Sequence, residues 1–230
     1  MRFELGLCDL IHESCRGAEV LGLWLRPHAQ VYVLKAWLGV VFGIGKEEEG
    51  TRVCGMESGR GTIIRLTKLT DTSLIVHWMS EDAGLIKTVA KGARRMKSAF
   101  AGRLDLFIEA DFEWGRNKRG GLHILREVSV VNFREELRKS YRDALVAGYF
   151  GQLLELVLEL DHPEGEMCDL LKRGLGHLAD EGASRRAMFY YEREVARILG
   201  LGKGAHLGIL QVYGKLPKSR EHCLDLLPQK

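Results

Sequence analysis

Charge of one sign is missing from the chain as a whole. Lys and Arg total 34 against 31 Asp and Glu, a net charge of +3. The sum says little about partners, so the placement of charge has to be read instead. Proline is scarce at 4, which excludes proline-rich extended architectures, and the 27 glycines follow no collagen-like repeat. No apolar run is long enough to cross a membrane: Val31–Gly45 contains Lys35 and falls short of the ~20 residues required. The N-terminus has no clean apolar stretch ending in a small-residue cleavage site, which disfavours a signal peptide.

Cysteine is present but in no metal-binding arrangement. Cys8, Cys15, Cys54, Cys168 and Cys223 form no C-x-x-C pair and have no His pair near them at ligand spacing. A zinc ribbon or finger is excluded, and an odd, irregular set suits free thiols in a reducing cytoplasm. The eight histidines are scattered, and no G-x-S-x-G, H-E-x-x-H or Cys/His signature occurs. Gly43-Ile44-Gly45-Lys46 is followed by Glu and is no phosphate loop. Gly200-Leu201-Gly202-Lys203-Gly204-Ala205 follows a helical pattern rather than a strand and reads as a helix C-cap.

What is present is a globular composition: 230 residues, 46% apolar and 28% charged, enough for one or two domains. Residues 1–55 differ from the rest, with Gly interrupting their apolar runs and no sustained period. They read as an N-terminal extension, from a mis-assigned start or as a genuine extra segment, with the folded protein expected to begin near Met56. From there the pattern is β: Thr62–Thr70, Ser73–Met79, Leu85–Ala90, Leu104–Trp114 and Gly121–Asn132, with turn residues between them. Five short strands at this spacing predict a small antiparallel barrel or sandwich over 56–132. At Asn132 the period changes. Leu137 to Leu160 recur at helical spacing, with Asn132 and Glu135 resembling a capping box and a kink expected near Gly148 and Gly151. Met167–Leu178 and Met188–Leu199 define two more helices, so 133–230 is expected to be all-helical. The fold class is therefore α+β, a five-stranded barrel followed by helices.

The strongest local signal is a basic stretch. Lys87, Lys91, Arg94, Arg95, Lys97 and Arg103 occur without a carboxylate among them, and the turn before the fifth strand adds Arg116, Lys118 and Arg119. Small barrels bind single-stranded nucleic acid by combining a basic groove with stacking aromatics, for which Trp78, Phe100, Phe112 and Trp114 are candidates. RNA would suit the same chemistry. An enzymatic rival is a metal-dependent nuclease built on Asp105, Glu109, Asp111 and Glu113, which alternate along one strand face.

The stretch Glu81-Asp82-Ala83-Gly84-Leu85-Ile86-Lys87-Thr88-Val89-Ala90-Lys91-Gly92-Ala93-Arg94-Arg95-Met96-Lys97-Ser98 resembles the signature of the RecO family of bacterial recombination mediators. Gly102–Phe107 is similar to the segment that follows it there, with Leu106 where the family has Pro. Ala144 with Tyr149, Tyr191–Glu194 before Leu199-Gly200-Leu201, and Leu216–Glu221 resemble motifs of its helical domain. The resemblance implies an N-terminal OB-fold and a helical domain, and a non-enzymatic role in a bacterial cytoplasm at the nucleoid. It implies binding of single- and double-stranded DNA, strand annealing, binding of the C-terminal tail of single-stranded DNA-binding protein, and work with RecR to load RecA. Arg138, Tyr141, Arg142 and Leu145 are the residues expected to take the tail. The family usually inserts a subdomain, often with a four-cysteine zinc site, between positions matching Gly202 and Leu216. This chain has neither, so no metal or cofactor is expected.

Overall fold

The computed structural model describes residues 53–119 and 121–228. The expected extension over 1–55 lies outside them except for its last three residues. Five strands, β1 (Val53–Lys68), β2 (Leu74–Ser80), β3 (Gly84–Ala90), β4 (Glu109–Asn117) and β5 (Leu122–Asn132), close into a barrel in the order β1-β2-β3-β5-β4. All pairs are antiparallel except β3 with β5. This is the expected barrel, and its order is that of an OB-fold. β1 closes the ring because it bends at a bulge between Ile63 and Arg65, so that its first half pairs with β4 and its second with β2.

Alternation explains which side chains fill the barrel. Ala110, Phe112 and Trp114 of β4 point inward, while Glu109, Asp111 and Glu113 point out. Inside, Phe112 stacks on Trp78 at 4.1 Å and on Trp114 at 4.9 Å, and the Trp78 indole N–H donates to Thr88 Oγ1 at 2.9 Å. These rings leave no room on β1. A Cβ on Gly61 would lie 2.9 Å from the Met79 carbonyl and 3.1 Å from the Phe112 ring.

Two strands start several residues from where the pattern places them. β1 starts at Val53, nine residues before the strand pattern at Thr62, because pairing with β4 makes a strand of a glycine-rich stretch with little apolar content. β4 starts at Glu109 rather than Leu104. Phe107 has a left-handed backbone (φ 67°), and its N–H donates to the Ile63 carbonyl at 2.8 Å, so the chain turns into the barrel there.

Five helices follow among the described residues: α1 (Tyr141–Val157), α2 (Gly165–Glu181), α3 (Arg185–Ile198), α4 (His206–Tyr213) and α5 (Ser219–Leu226). None of the described helices is long and apolar enough to cross a membrane. The expected capping box at Asn132 is not formed. The Asn132 side chain accepts instead from the Arg134 N–H at 2.8 Å, a short 3-10 turn spans Glu135–Arg138, and the cap of α1 is Ser140, which accepts from the Asp143 N–H. Gly151 allows a close contact: a Cβ there would stand 3.1 Å from Ile64 of β1.

Barrel and helices share a core. Ile64, Met79, Leu85 and Phe107 face outward from the barrel and are buried with the inner faces of α1, α2 and α3. The seam continues as ion pairs. Glu155 of α1 binds Arg65 at 3.1 Å and the His77 ring, and Glu109 binds Arg134 at 2.8 Å and Lys172 at 3.6 Å. The loop between α1 and α2 is pinned most closely. Asp161 donates its N–H to the Leu85 carbonyl at 2.9 Å, and its carboxylate accepts from the Gly121 N–H at 2.9 Å and from the His123 ring at 2.6 Å. The Asn117 N–H donates to His123 Nδ1 at 3.0 Å, which puts the ring proton on Nε2, facing Asp161. A second buried knot holds the last helix: Glu192 accepts from Tyr149 Oη at 2.6 Å and Arg220 Nε at 2.7 Å.

The same seam requires a glycine. Gly84 has φ +67°, and a Cβ there would fall 1.7 Å from the His162 carbonyl oxygen, a backbone atom that cannot rotate away. Gly84→Ala should therefore destabilise by at least ~3 kcal/mol or yield insoluble protein, the scale of clashes at special backbone positions. Gly148→Ala, in helix α1 with nothing within 4 Å, should be neutral or stabilising by up to about 1 kcal/mol. Urea denaturation of both variants checks the pair; equal stabilities would refute the contact.

Burial alone would raise the Asp161 pKa, but the hydrogen bonds from Gly121 and His123 more than offset it and hold the carboxyl below its ordinary value. A depressed folded pKa stabilises above the unfolded value, near ~3.9, and that stabilisation disappears as pH falls through the lower folded value. Asp161→Asn should be less stable than wild type near neutrality and should lose less stability on acidification to pH ~2 to 3. Denaturant midpoints across that range give the comparison, and parallel acid limbs would count against it.

Candidate nucleic-acid interface

The segment from Lys91 to Arg103 leaves the barrel at the end of β3 and runs as a chain of tight turns. Arg95, Ser98, Ala101 and Arg103 each donate a main-chain N–H three residues back, at 3.0–3.2 Å. Ala93, Phe100 and Leu104 pack on the barrel core, which fixes the inner side of the segment. Gly92 takes a left-handed conformation (φ +70°), and the Arg95 stem lies over it. Arg94 hooks onto the β1–β2 turn, its N–H donating to the Thr72 carbonyl at 3.0 Å and its guanidinium to the Asp71 carbonyl at 3.2 Å. Arg103 donates to the Val128 carbonyl at 3.1 Å. The result is a stapled ribbon whose cations stay outside.

Lys91, Arg94, Arg95, Lys97 and Arg103 are all exposed, and none has a carboxylate within ion-pair distance among the described residues. Lys87 is half-buried on the outer face of β3, opposite His77 of β2. Met96, between Arg95 and Lys97, is fully exposed, an apolar side chain in the middle of the cations that charge alone does not single out.

The other three expected cations stand elsewhere. β3 and β5 run parallel, with Lys87 opposite Leu122 and Val89 opposite Ile124. Lys118 and Arg119 therefore precede β5 at the level where β3 begins, while Lys91 follows its end. At ~3.3 Å per residue the two groups lie about 20 Å apart along the strand direction. Both Lys118 and Arg119 are exposed, and Arg116 pairs with Glu57 at 2.9 Å. The basic residues form two surfaces, not one.

The stacking aromatics are also not where a nucleic-acid groove needs them. Trp78, Phe112 and Trp114 are buried in the barrel, and Phe100 packs against that core. Of the four carboxylates weighed for a nuclease, Asp111 and Glu113 line one groove with Glu127, and three of the four are engaged by cations. Asp105 lies 3.4 Å from Arg138, Glu109 holds Arg134 and Lys172, Asp111 pairs with Arg60 at 2.7 Å, and Glu113 faces Glu127 across the sheet. No cluster of three or more metal-ligating side chains occurs among the described residues.

The residues expected to take a peptide have varied surroundings. The Arg138 guanidinium donates to the Leu106 carbonyl at 2.7 Å and the Phe133 carbonyl at 2.9 Å, joining the 3-10 turn to the barrel. Tyr141 is exposed, with its hydroxyl 3.0 Å from the His222 ring. Arg142 is exposed, and Leu145 packs against the helical core.

A groove of about 560 Å³ opens instead between α2 and α3. Its floor is Phe150 and Tyr191, stacked at 3.8 Å, and its rim carries Arg173, His177, Arg186 and Tyr190, with Glu181 at one end. Gly174 keeps it open, since a Cβ there would press on both floor rings at 3.2 Å. The Tyr191 hydroxyl is buried without a hydrogen-bond partner among the described residues, and burial pushes its pKa up. The sequence hinted at this site only through Gly174 interrupting an amphipathic helix beside Arg173.

Residues 56–134 match the family profile described as Recombination protein O N terminal. Curated relatives are named DNA repair protein RecO. That of Rhodopirellula baltica is 30% identical over 145 residues, 60% of this chain and 51% of the relative. That of Actinobacillus succinogenes is 29% identical over 144 residues, 62% and 59% of the two chains, and that of Listeria monocytogenes 28% over 148 residues, 64% and 56%. The chain spans about half the length of the curated relatives it matches. The matched profile covers the barrel from Met56 and the ribbon that leaves it, and through this domain the chain is similar to proteins of the RecO family.

Proposed function

We propose that the protein is a DNA-binding mediator of recombinational repair. It binds single- and double-stranded DNA, anneals complementary strands, and with RecR helps load RecA onto strands coated by single-stranded DNA-binding protein, at the nucleoid of a bacterial cytoplasm. The observation that carries the reading is the stapled ribbon Lys91–Arg103, with five exposed cations and no carboxylate partner among the described residues. Fixed cations without internal partners are placed to displace counterions from phosphates, the main source of affinity for a strand without sequence preference. Arg94 and Arg103 each give one N–H to a main-chain carbonyl, which orients the guanidinium and leaves further donors for phosphate. The Lys118 and Arg119 turn makes a second contact, reached by a duplex or by a strand that wraps the barrel.

Salt titration tests this. If Lys91, Arg95 and Lys97 each meet a phosphate, replacing all three by Ala should lower the log–log salt slope for a single strand by about 2, equally for every sequence. Lys118→Ala with Arg119→Ala should subtract its own share, additively, because the two surfaces are far apart. An unchanged slope in the folded triple variant would remove the ribbon from the interface. Competition with RNA of the same length at the same salt separates a DNA protein from an RNA protein.

The tail of single-stranded DNA-binding protein is assigned to the groove between α2 and α3. An apolar floor with a cationic rim suits a peptide that ends in a buried aromatic side chain and a free carboxylate. Arg186 is exposed on the rim, free to meet the carboxylate. Arg186→Glu in the full chain should weaken a tail peptide by about tenfold or more, the scale of a lost charge-assisted contact, while Arg142→Ala binds as wild type. Titration by anisotropy with a labelled peptide distinguishes them, and the reverse ranking would return the site to α1.

A further inference from the structure

With its large aromatics inside, the barrel needs another apolar surface if it is to hold bases as well as phosphates. One adjoins the ribbon. A groove of about 420 Å³ lies between the β1–β2 turn and the turn at Gly92. Leu69 forms one wall and is 44% exposed, although it is a large apolar side chain in a turn. Val89, 8% exposed, forms the floor, and Lys91 and Arg95 stand at the edge.

The walls are held from both sides. Leu69 and Thr70 donate their N–H groups to the Ser73 carbonyl at 3.1 and 3.2 Å, and Thr70 Oγ1 accepts from the Ser73 N–H at 3.1 Å. The opposite wall is tied across by Arg94 to the Asp71 and Thr72 carbonyls and by the Gly92 N–H to Ser73 Oγ at 3.4 Å. These bonds close the groove at its ends and leave its apolar middle open. Binding there requires little reorganisation.

We propose that this groove is a single-nucleotide subsite. One unstacked base lies against Leu69 and Val89, and the phosphates on either side of it meet Lys91 and Arg95. Pockets of ~300 Å³ upward hold one small ligand, so this groove has room for one nucleotide. Its apolar wall takes any base by its face, which adds affinity without sequence preference. A nucleotide held this way has left the stack of its neighbours, so a single strand or frayed end fits and a closed duplex does not. The assignment rests on the DNA-binding reading above.

The test compares two labelled strands of equal length: an oligothymidylate, and an abasic strand that keeps the phosphates and lacks the bases. Wild-type full chain should bind the thymidylate more tightly. Leu69→Ala, at an exposed position, should weaken the thymidylate roughly three- to tenfold, part of one base contact, and leave the abasic strand unchanged. Lys91→Ala with Arg95→Ala should weaken both. A melting curve confirms that each variant is folded. If Leu69→Ala binds both strands as wild type does, the subsite is overturned while the DNA-binding reading stands. If wild type binds neither strand, both fall.

Discussion

The contact on which the architecture turns is the approach of the α1–α2 loop to the end of the barrel at Gly84. There a main-chain carbonyl occupies the space a side chain would need. Around it, Asp161 reaches both the Leu85 carbonyl and the start of β5. A five-stranded barrel is a small body with an outer face that has to be covered somewhere. Here the cover is the helical layer, held by a shared apolar core and by a close backbone approach at Gly84. The glycine that opens β3 therefore has a structural reason of its own, at the opposite end of the strand from the basic ribbon.

That seam also divides the surface. The side of the barrel covered by helices spends its charges on internal pairs: Arg65 and His77 on Glu155, Arg134 and Lys172 on Glu109. On the ribbon, Lys91, Arg94, Arg95, Lys97 and Arg103 stay without carboxylate partners among the described residues. Arg138 shows the consequence. By sequence it belongs with the basic residues of α1, yet it is consumed in tying the 3-10 turn to Leu106 and Phe133. Cationic residues are thus sorted by topology into clamps and contacts, and composition alone cannot separate the two.

The parts legible in the sequence are those set by local chemistry. Alternation gave the barrel strands, and the basic run after Ala90 was visible because its cations are neighbours in the chain. What was hidden depends on partners distant in sequence. The start of β1 at Val53 exists only through β4. The separation of Lys118 and Arg119 from Lys91 follows from a parallel register that no strand pattern reveals. The groove over Phe150 and Tyr191 is assembled from three helices, and a tyrosine hydroxyl left without a partner is a property of packing rather than of spacing. Arg142, singled out by its apolar neighbours in sequence, is exposed on α1 and is not among the residues lining that groove.

The buried Glu192 has a bearing on how the last helix is held. Its carboxylate is fully enclosed and accepts from Arg220, 28 residues later in the chain. The Tyr149 hydroxyl and the His206 ring, 3.6 Å away, complete its surroundings. Removing Arg220 would leave an enclosed carboxylate without its nearest cation, at a cost of about 3 to 5 kcal/mol. The last helix is thus held to the helical layer by an interior polar bond as well as by its apolar face.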